Sequence, residues 1–132
     1  IPEGVREVVG RRLSRLSETA NQVLGVAAVI GREFDAALIE AAGGPSGDSL
    51  LDALDEAARV RLIAEVPGAL GRFAFSHALV RQTLYEEIGT SRRVRLHWRI
   101  GGALEKRHAA APDDQLSAIA VGIISSSPVR QR

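Results

Sequence analysis

The residues of this sequence that could carry catalytic or metal chemistry are few and widely spaced. Its three histidines, His77, His97 and His108, are never three or four positions apart, the spacing that places two ligands on one helix face. There is no cysteine, which excludes disulfides, thiolate metal sites and cysteine nucleophiles. We therefore expect no metal site in this chain.

Sequence motifs for catalysis and for phosphate binding are also missing. No G-x-S-x-G supplies a nucleophile elbow, and no G-x-x-x-x-G-K-[ST] supplies a P-loop whose amides and lysine hold phosphates. The adjacent carboxylates Glu86-Glu87 and Asp113-Asp114 would point in different directions from a helix, so neither pair predicts an acid–base dyad. We expect no catalytic residue and no cofactor held by this chain alone.

His77 is the residue whose local setting favours binding, in this case of an anion. Phe73 and Phe75 alternate with smaller residues, which predicts a half-buried strand, and helical spacing of apolar residues follows Ser76. A strand would then run directly into a helix, with Ser76 as N-cap and His77 in the first turn. The free N–H groups of that turn carry partial positive charge, which suits a bound anion. Arg81, one helical turn later, could share it.

Length and composition predict one domain with an aliphatic core. The 132 residues are 45% hydrophobic but only 4% aromatic, and the formal net charge of +1 gives no overall field that attracts nucleic acid or a membrane. No apolar run approaches the roughly 20 residues of a membrane helix, and no signal peptide is visible. The lack of cysteine fits a reducing cytoplasm. Because the chain begins without Met, we expect it to be cut from a longer protein.

Hydrophobic spacing and turn residues predict a mainly α fold with one β-hairpin. Helices are expected over residues 2–16, 18–30, 36–42, 48–60, 77–88 and 91–110, and strands over residues 62–66 and 72–75. Ser17 and Asp35 are expected N-caps, and the inner face of the fourth helix is expected to include Leu51 and Leu54. Three helices followed by a hairpin are the arrangement of a winged helix.

Several stretches, taken together, resemble one family. They are I-P-E-G-V-R-E-V-V-G-R-R-L-S-R-L-S from residue 1, A-A-V-I-G-R-E-F-D from residue 27, R-F-A-F-S-H-A-L-V-R-Q-T-L-Y from residue 72 and R-R-V-R-L-H from residue 92. As a set they are similar to the winged-helix region of bacterial signal-transduction ATPases with numerous domains (the STAND class, of AAA type), as in large LuxR-type transcriptional regulators and cyclase-linked predicted ATPases. The resemblance covers roughly the first 108 residues. It implies a linker helix over residues 1–16 after a missing ATPase domain, a winged-helix module over residues 17–110, and the start of a TPR-like helical repeat region or a disordered tail over residues 111–132.

The resemblance also implies a role for His77. In the STAND class a histidine after the last wing strand contacts the phosphates of ADP bound to the neighbouring ATPase domain, which holds the closed, resting state. Only His77 matches that position, with Arg81 the second candidate, and Ser76 and Ala78 stand where plant and animal members have Met and Asp. The implied function is non-catalytic. The module would couple the ADP or ATP state of the parent to domain opening, by docking onto the parent's ATPase and helical-repeat domains.

Two other functions remain open. A winged helix can bind DNA through its third helix, but here residues 48–60 carry four carboxylates and only Arg59, which argues against docking on phosphates. The basic stretch over residues 92–99 keeps this alternative open, although its arginine stems could equally cover the aliphatic core. The second alternative is a protein-interaction scaffold, in which His77 would be buried and hydrogen-bonded within the domain.

Overall fold

The computed structural model describes residues 3–110, which form six helices and one small sheet. The helices are α1 (Glu3–Ser14), α2 (Glu18–Ile30), α3 (Ala36–Ala41), α4 (Gly47–Arg59), α5 (Ala78–Glu87) and α6 (Thr90–Ala110), and the strands are β1 (Glu33–Asp35), β2 (Ile63–Glu65) and β3 (Arg72–Phe75). The expectation of a mainly α fold is confirmed. No helix in this range is long and apolar enough to cross a membrane. The predicted helical repeat or disordered tail at residues 111–132 lies outside the described residues.

The core of the domain is built around α2. This helix contacts all four later helices and β1, and most of its side chains are buried: Ala20, Val23, Leu24, Val26, Ala27, Ala28 and Val29. Its N-terminus is capped as expected, because the Ala20 amide donates to Ser17 Oγ at 3.1 Å. The Glu56 carboxylate of α4 accepts from both the Ser17 amide (2.7 Å) and its hydroxyl (2.8 Å). The cap therefore also ties α2 to α4.

The sheet has one strand more than the sequence predicts. Its order is β1-β3-β2 with both pairings antiparallel, so β3 is the central strand. β1 has only three residues and no clear alternation, and it pairs through Phe34 opposite Phe73. The Phe34 ring lies 6.2 Å from that of Phe73 and 5.3 Å from that of Phe75, between centroids. Burial of Phe34 on this aromatic cluster explains a strand that local propensity does not indicate.

One predicted core residue of α4 is on the wrong face. Leu50, Ala53, Leu54 and Ala57 are buried, but Leu51 is 53% exposed, so the expectation that Leu51 packs inward is wrong. An aspartate at position 51 would therefore stay solvated and would not unfold the domain. The helix ends with Arg61 at a positive φ of 65°, where the Arg61 and Leu62 amides bond back to the carbonyls of Ala58 and Ala57.

The long helix α6 buries only a narrow stripe. Leu96, Ile100 and Ala103 are buried, whereas Val94, Trp98 and Leu104, which the sequence places on its apolar side, are exposed. Trp98 is the most exposed of these, at 78%. At the other end of the chain, α1 adds Val9 and Leu13 to the common core. The same core thus extends beyond the three-helix unit and its hairpin.

Candidate functional site

The candidate site lies where β3 passes into α5. The Phe75 amide donates to the Arg32 carbonyl at 3.0 Å, and the Ser76 amide donates to the Leu62 carbonyl at 3.0 Å. These two bonds keep the chain extended through residue 77, so α5 begins only at Ala78. His77, with φ −140° and ψ 140°, is therefore the N-cap residue. The prediction that Ser76 caps this helix is wrong, because backbone pairing of Ser76 to the preceding strand delays the first turn.

His77 is exposed, and its side chain makes no capping hydrogen bond to α5. No hydrogen bond or ion pair within residues 3–110 engages its imidazole ring. The first amides of the helix, at Ala78 and Leu79, also have no acceptor in that part of the chain, whereas the Val80 amide bonds to the His77 carbonyl at 3.0 Å. The positive end of α5 and an exposed histidine thus lie side by side, an arrangement that would favour an external anion.

Arg81 has a structural partner that the sequence did not indicate. Its Nε donates to the Ala28 carbonyl at 2.9 Å, although the two residues are 53 positions apart. Ala28 lies in the last turn of α2, where carbonyl groups lack helical partners and carry partial negative charge. The guanidinium also lies 5.9 Å from the centre of the Tyr85 ring. Arg81 therefore fastens α5 to the C-terminal end of α2, and only its terminal nitrogens remain available to a ligand.

A cleft of about 300 Å³ runs beside the start of α5. It is lined by Arg32, Ala78, Arg81, Gln82 and Tyr85. His77 is not among these lining residues, so the structure brings Arg81 and Arg32 together but leaves the His77 ring outside the cleft. No motif in the sequence indicates Arg32 as a site residue. Only its position directly before β1 could have indicated it, and β1 itself was not predicted.

A further polar contact joins α5 to α6 through Tyr85, which also lines this cleft. The Tyr85 hydroxyl and His97 Nε2 are 3.2 Å apart, and the two rings meet edge to face with centroids 6.2 Å apart. The Arg93 guanidinium lies 4.9 Å from the Tyr85 ring centre, within range of a cation–π interaction. These contacts explain His97 as a packing residue. No group of three or more His, Asp or Glu within residues 3–110 is arranged to hold a metal ion.

The carboxyl group of Asp35, at the start of α3, has a lowered pKa. Burial by itself raises the pKa of this carboxyl. Hydrogen bonds from Arg107 and the Leu38 amide lower the pKa, as do the positive charges of Arg107 and Arg72. The lowering outweighs the effect of burial, so the pKa is below its ordinary value. Both oxygens accept from Arg107 at 3.0 Å. The Leu38 amide donates at 2.7 Å, which confirms Asp35 as the N-cap of α3. This cluster is structural, because every group in it has a partner within the domain.

The exposed face of α4 is acidic. Asp48, Asp52 and Asp55 are exposed and have no ion-pair partner within residues 3–110, while Arg59 is the only exposed cation of that helix. The turn between β2 and β3 (residues 66–71) contains no charged residue, and its Leu70 is 98% exposed. The two elements that would meet DNA in a winged helix thus offer carboxylates and apolar atoms to phosphate.

Comparison with protein-family models, curated proteins and solved structures finds no match to this chain.

Proposed function

We propose that residues 17–110, in which α2 through β3 form a winged helix, are a non-catalytic regulatory module of a larger signalling ATPase. The elements follow in the order helix, strand, helix, helix, strand, strand, and the first strand pairs with the last. This order, with α4 as third helix and the β2–β3 hairpin as wing, supports the winged-helix assignment. The parent would be a cytoplasmic transcriptional regulator whose DNA-binding domain lies elsewhere in its chain.

The proposed role of the module is to bind the ADP state of the parent's ATPase domain through His77. The observation that carries this proposal is the exposed imidazole beside the uncapped start of α5, with neither engaged by residues 3–110. The imidazole and two free amides would together stabilise a diphosphate. The terminal nitrogens of Arg81 are a weaker second contact, since its Nε is already bonded.

ADP would then favour the closed arrangement of the parent's domains, because its phosphates contact His77 only when this module is docked. Exchange for ATP would release the module and open the protein. A nucleotide shifts this equilibrium only by the difference between its affinities for the closed and open states. His77 would be one source of that difference.

Two observations weigh against the alternatives. A scaffold role was expected to leave His77 buried and hydrogen-bonded, and its ring is exposed. Direct DNA binding through α4 and the wing would place three aspartates near phosphate, which is repulsive. The basic first half of α6 does favour a phosphate ligand, but it lies outside both α4 and the wing.

The test is His77→Ala in the longer protein. We expect ADP to dissociate roughly tenfold faster, the effect of losing one charge-assisted hydrogen bond. The basal activity of the longer protein should rise as ADP release becomes faster. The matched control is His108→Ala, which removes an equally exposed histidine from the last turn of α6. Unchanged ADP release in the His77 variant, with the control also unchanged, would exclude this role.

A further inference from the structure

A second cleft, separate from the candidate site at α5, is formed where the first half of α6 passes α2 and the turn between α3 and α4. Its volume is about 520 Å³. Arg92, Arg95 and Arg99 line it from α6, at a spacing of three and then four residues that puts them on one helix face. Gln22 of α2 and Gly43 of the turn line the opposite side. Together these lining residues form the arginine cleft.

The positive charge of the arginine cleft is uncompensated. None of its three arginines forms an ion pair within residues 3–110, and no Asp or Glu is among the residues that line it. Cations three and four positions apart on a helix repel one another, so the cluster is unfavourable without an anion. Elsewhere in the described domain, Arg6, Arg72 and Arg107 each face a carboxylate.

The Arg99 side chain lies against the wall of the cleft. A Cβ built on Gly43 would be 3.2 Å from its Nη1 and 3.5 Å from its Cδ, so the guanidinium rests on the bare backbone of the turn. Gly43 has a φ of 92°, which ends α3 and leaves this surface without a side chain. Arg99 is thus placed across the cleft, and its stem does not simply cover apolar surface.

We propose that the arginine cleft binds a small oligophosphate. Three guanidinium groups match a ligand with several negative charges, because each can donate two parallel N–H bonds to phosphate oxygens. The volume of the cleft is in the range of small-ligand pockets, which fits a small oligophosphate. No aromatic ring lines it, so it recognises phosphates without a nucleobase. The oligophosphate can therefore be inorganic or the phosphate chain of a nucleotide.

The test is calorimetric titration of the 132-residue chain with tripolyphosphate at about 50 mM salt, where phosphate contacts are strongest. Arg95→Ala and Arg99→Ala should each weaken binding roughly tenfold. Both side chains are exposed and both positions are helical, so alanine should leave the fold intact, which circular dichroism checks. Arg59→Ala is the matched control, since it removes the same charge from the exposed face of α4.

Further arms of the experiment separate the sources of phosphate. ATP should bind about as tightly as tripolyphosphate, since no ring is present to stack on adenine. Arg95→Ala should weaken both affinities to the same extent, because both ligands would use the phosphate contacts of this cleft. Loss of binding in Arg59→Ala equal to that in Arg95→Ala would overturn the proposal, as would failure of the wild-type chain to bind tripolyphosphate. Duplex DNA that displaces tripolyphosphate and depends on the same arginines would assign the cleft to DNA.

Discussion

At its C-terminal end α6 directs Arg107 onto Asp35, with two N–H···O bonds of 3.0 Å, whereas in its first half Arg92, Arg95 and Arg99 meet no carboxylate within residues 3–110. One helix thus carries the same side chain in two different environments. The difference comes from what faces the helix. Arg107 faces the β1–α3 junction, where Asp35 is fixed as an N-cap, and the other three face the glycine turn that follows α3.

This contrast separates arginines that hold the domain together from arginines that could serve a ligand. Arg81 and Arg107 each donate to an acceptor that the fold has already placed, at the end of α2 and at the start of α3. Such bonds stabilise the domain because the acceptor is partly desolvated and has no better partner. The arginines of the cleft have no such acceptor, so their removal should matter for binding and not for folding.

The largest effect on stability is expected at Asp35. Asp35→Ala removes the cap of α3, worth about 1 kcal/mol, and the two-bonded pair with Arg107, worth about 1 kcal/mol for a partly exposed pair. We therefore expect the free energy of unfolding to fall by about 2 kcal/mol. Urea denaturation followed by circular dichroism measures it. Asp52→Ala, on the exposed face of α4, is the control. If the free energy of unfolding falls equally in the two variants, the Asp35 cluster stabilises the domain no more than an exposed aspartate does.

A smaller effect is expected from acid, and it tests the charge of Asp35, which Arg107, Arg72 and the Leu38 amide stabilise together. The pKa of Asp35 is lower in the folded state than its ordinary value, so its contribution is fully present above that ordinary value. It is lost as the pH falls through the lowered pKa of the folded state. Asp35→Asn keeps a capping side chain but has no charge to lose.

The measurement is the difference in melting temperature between the wild-type chain and Asp35→Asn from about pH 6 to about pH 3. We expect wild type to be more stable at the upper end and the difference to shrink toward the lower end. Other carboxylates titrate in both proteins, so the subtraction isolates Asp35. A difference that stays constant over this range would mean that the charge of Asp35 does not contribute to the stability of the domain.

Local features of the fold could be predicted from the sequence because their causes are local. The caps at Ser17 and Asp35 each depend on an amide three residues further on, and the central place of α2 follows from its nearly continuous apolar composition. The exposure of His77 could not be derived in this way. It depends on the pairing of Ser76 with Leu62, which holds the chain extended for one residue longer than the capping preference of serine predicts.

Features that depend on distant partners could not be predicted. β1 forms because Phe34 reaches the rings of Phe73 and Phe75, some 40 positions away. The sequence indicates Arg81 only as a second contact to an anion, and nothing near Arg81 or Arg107 in the sequence indicates Ala28 or Asp35 as its partner. Leu51 fits the inner spacing of α4 as well as Leu50 does, but only the packing against α2 decides which of them is covered.

The smallest expected effects compare the two ends of α6 directly. Arg107→Ala should lower the free energy of unfolding by about 1 kcal/mol, because Asp35 loses its partner but keeps its bond to the Leu38 amide. Arg95→Ala should change it by no more than about 0.5 kcal/mol in either direction, the usual range at an exposed position without a partner. The two substitutions remove the same side chain from the same helix. The difference between their free energies of unfolding, measured in one buffer, therefore gives the contribution of the contact between Arg107 and the Asp35 carboxylate. If Arg95→Ala is as destabilising as Arg107→Ala, the arginine cleft is part of the structural framework and the distinction between the two ends of α6 fails.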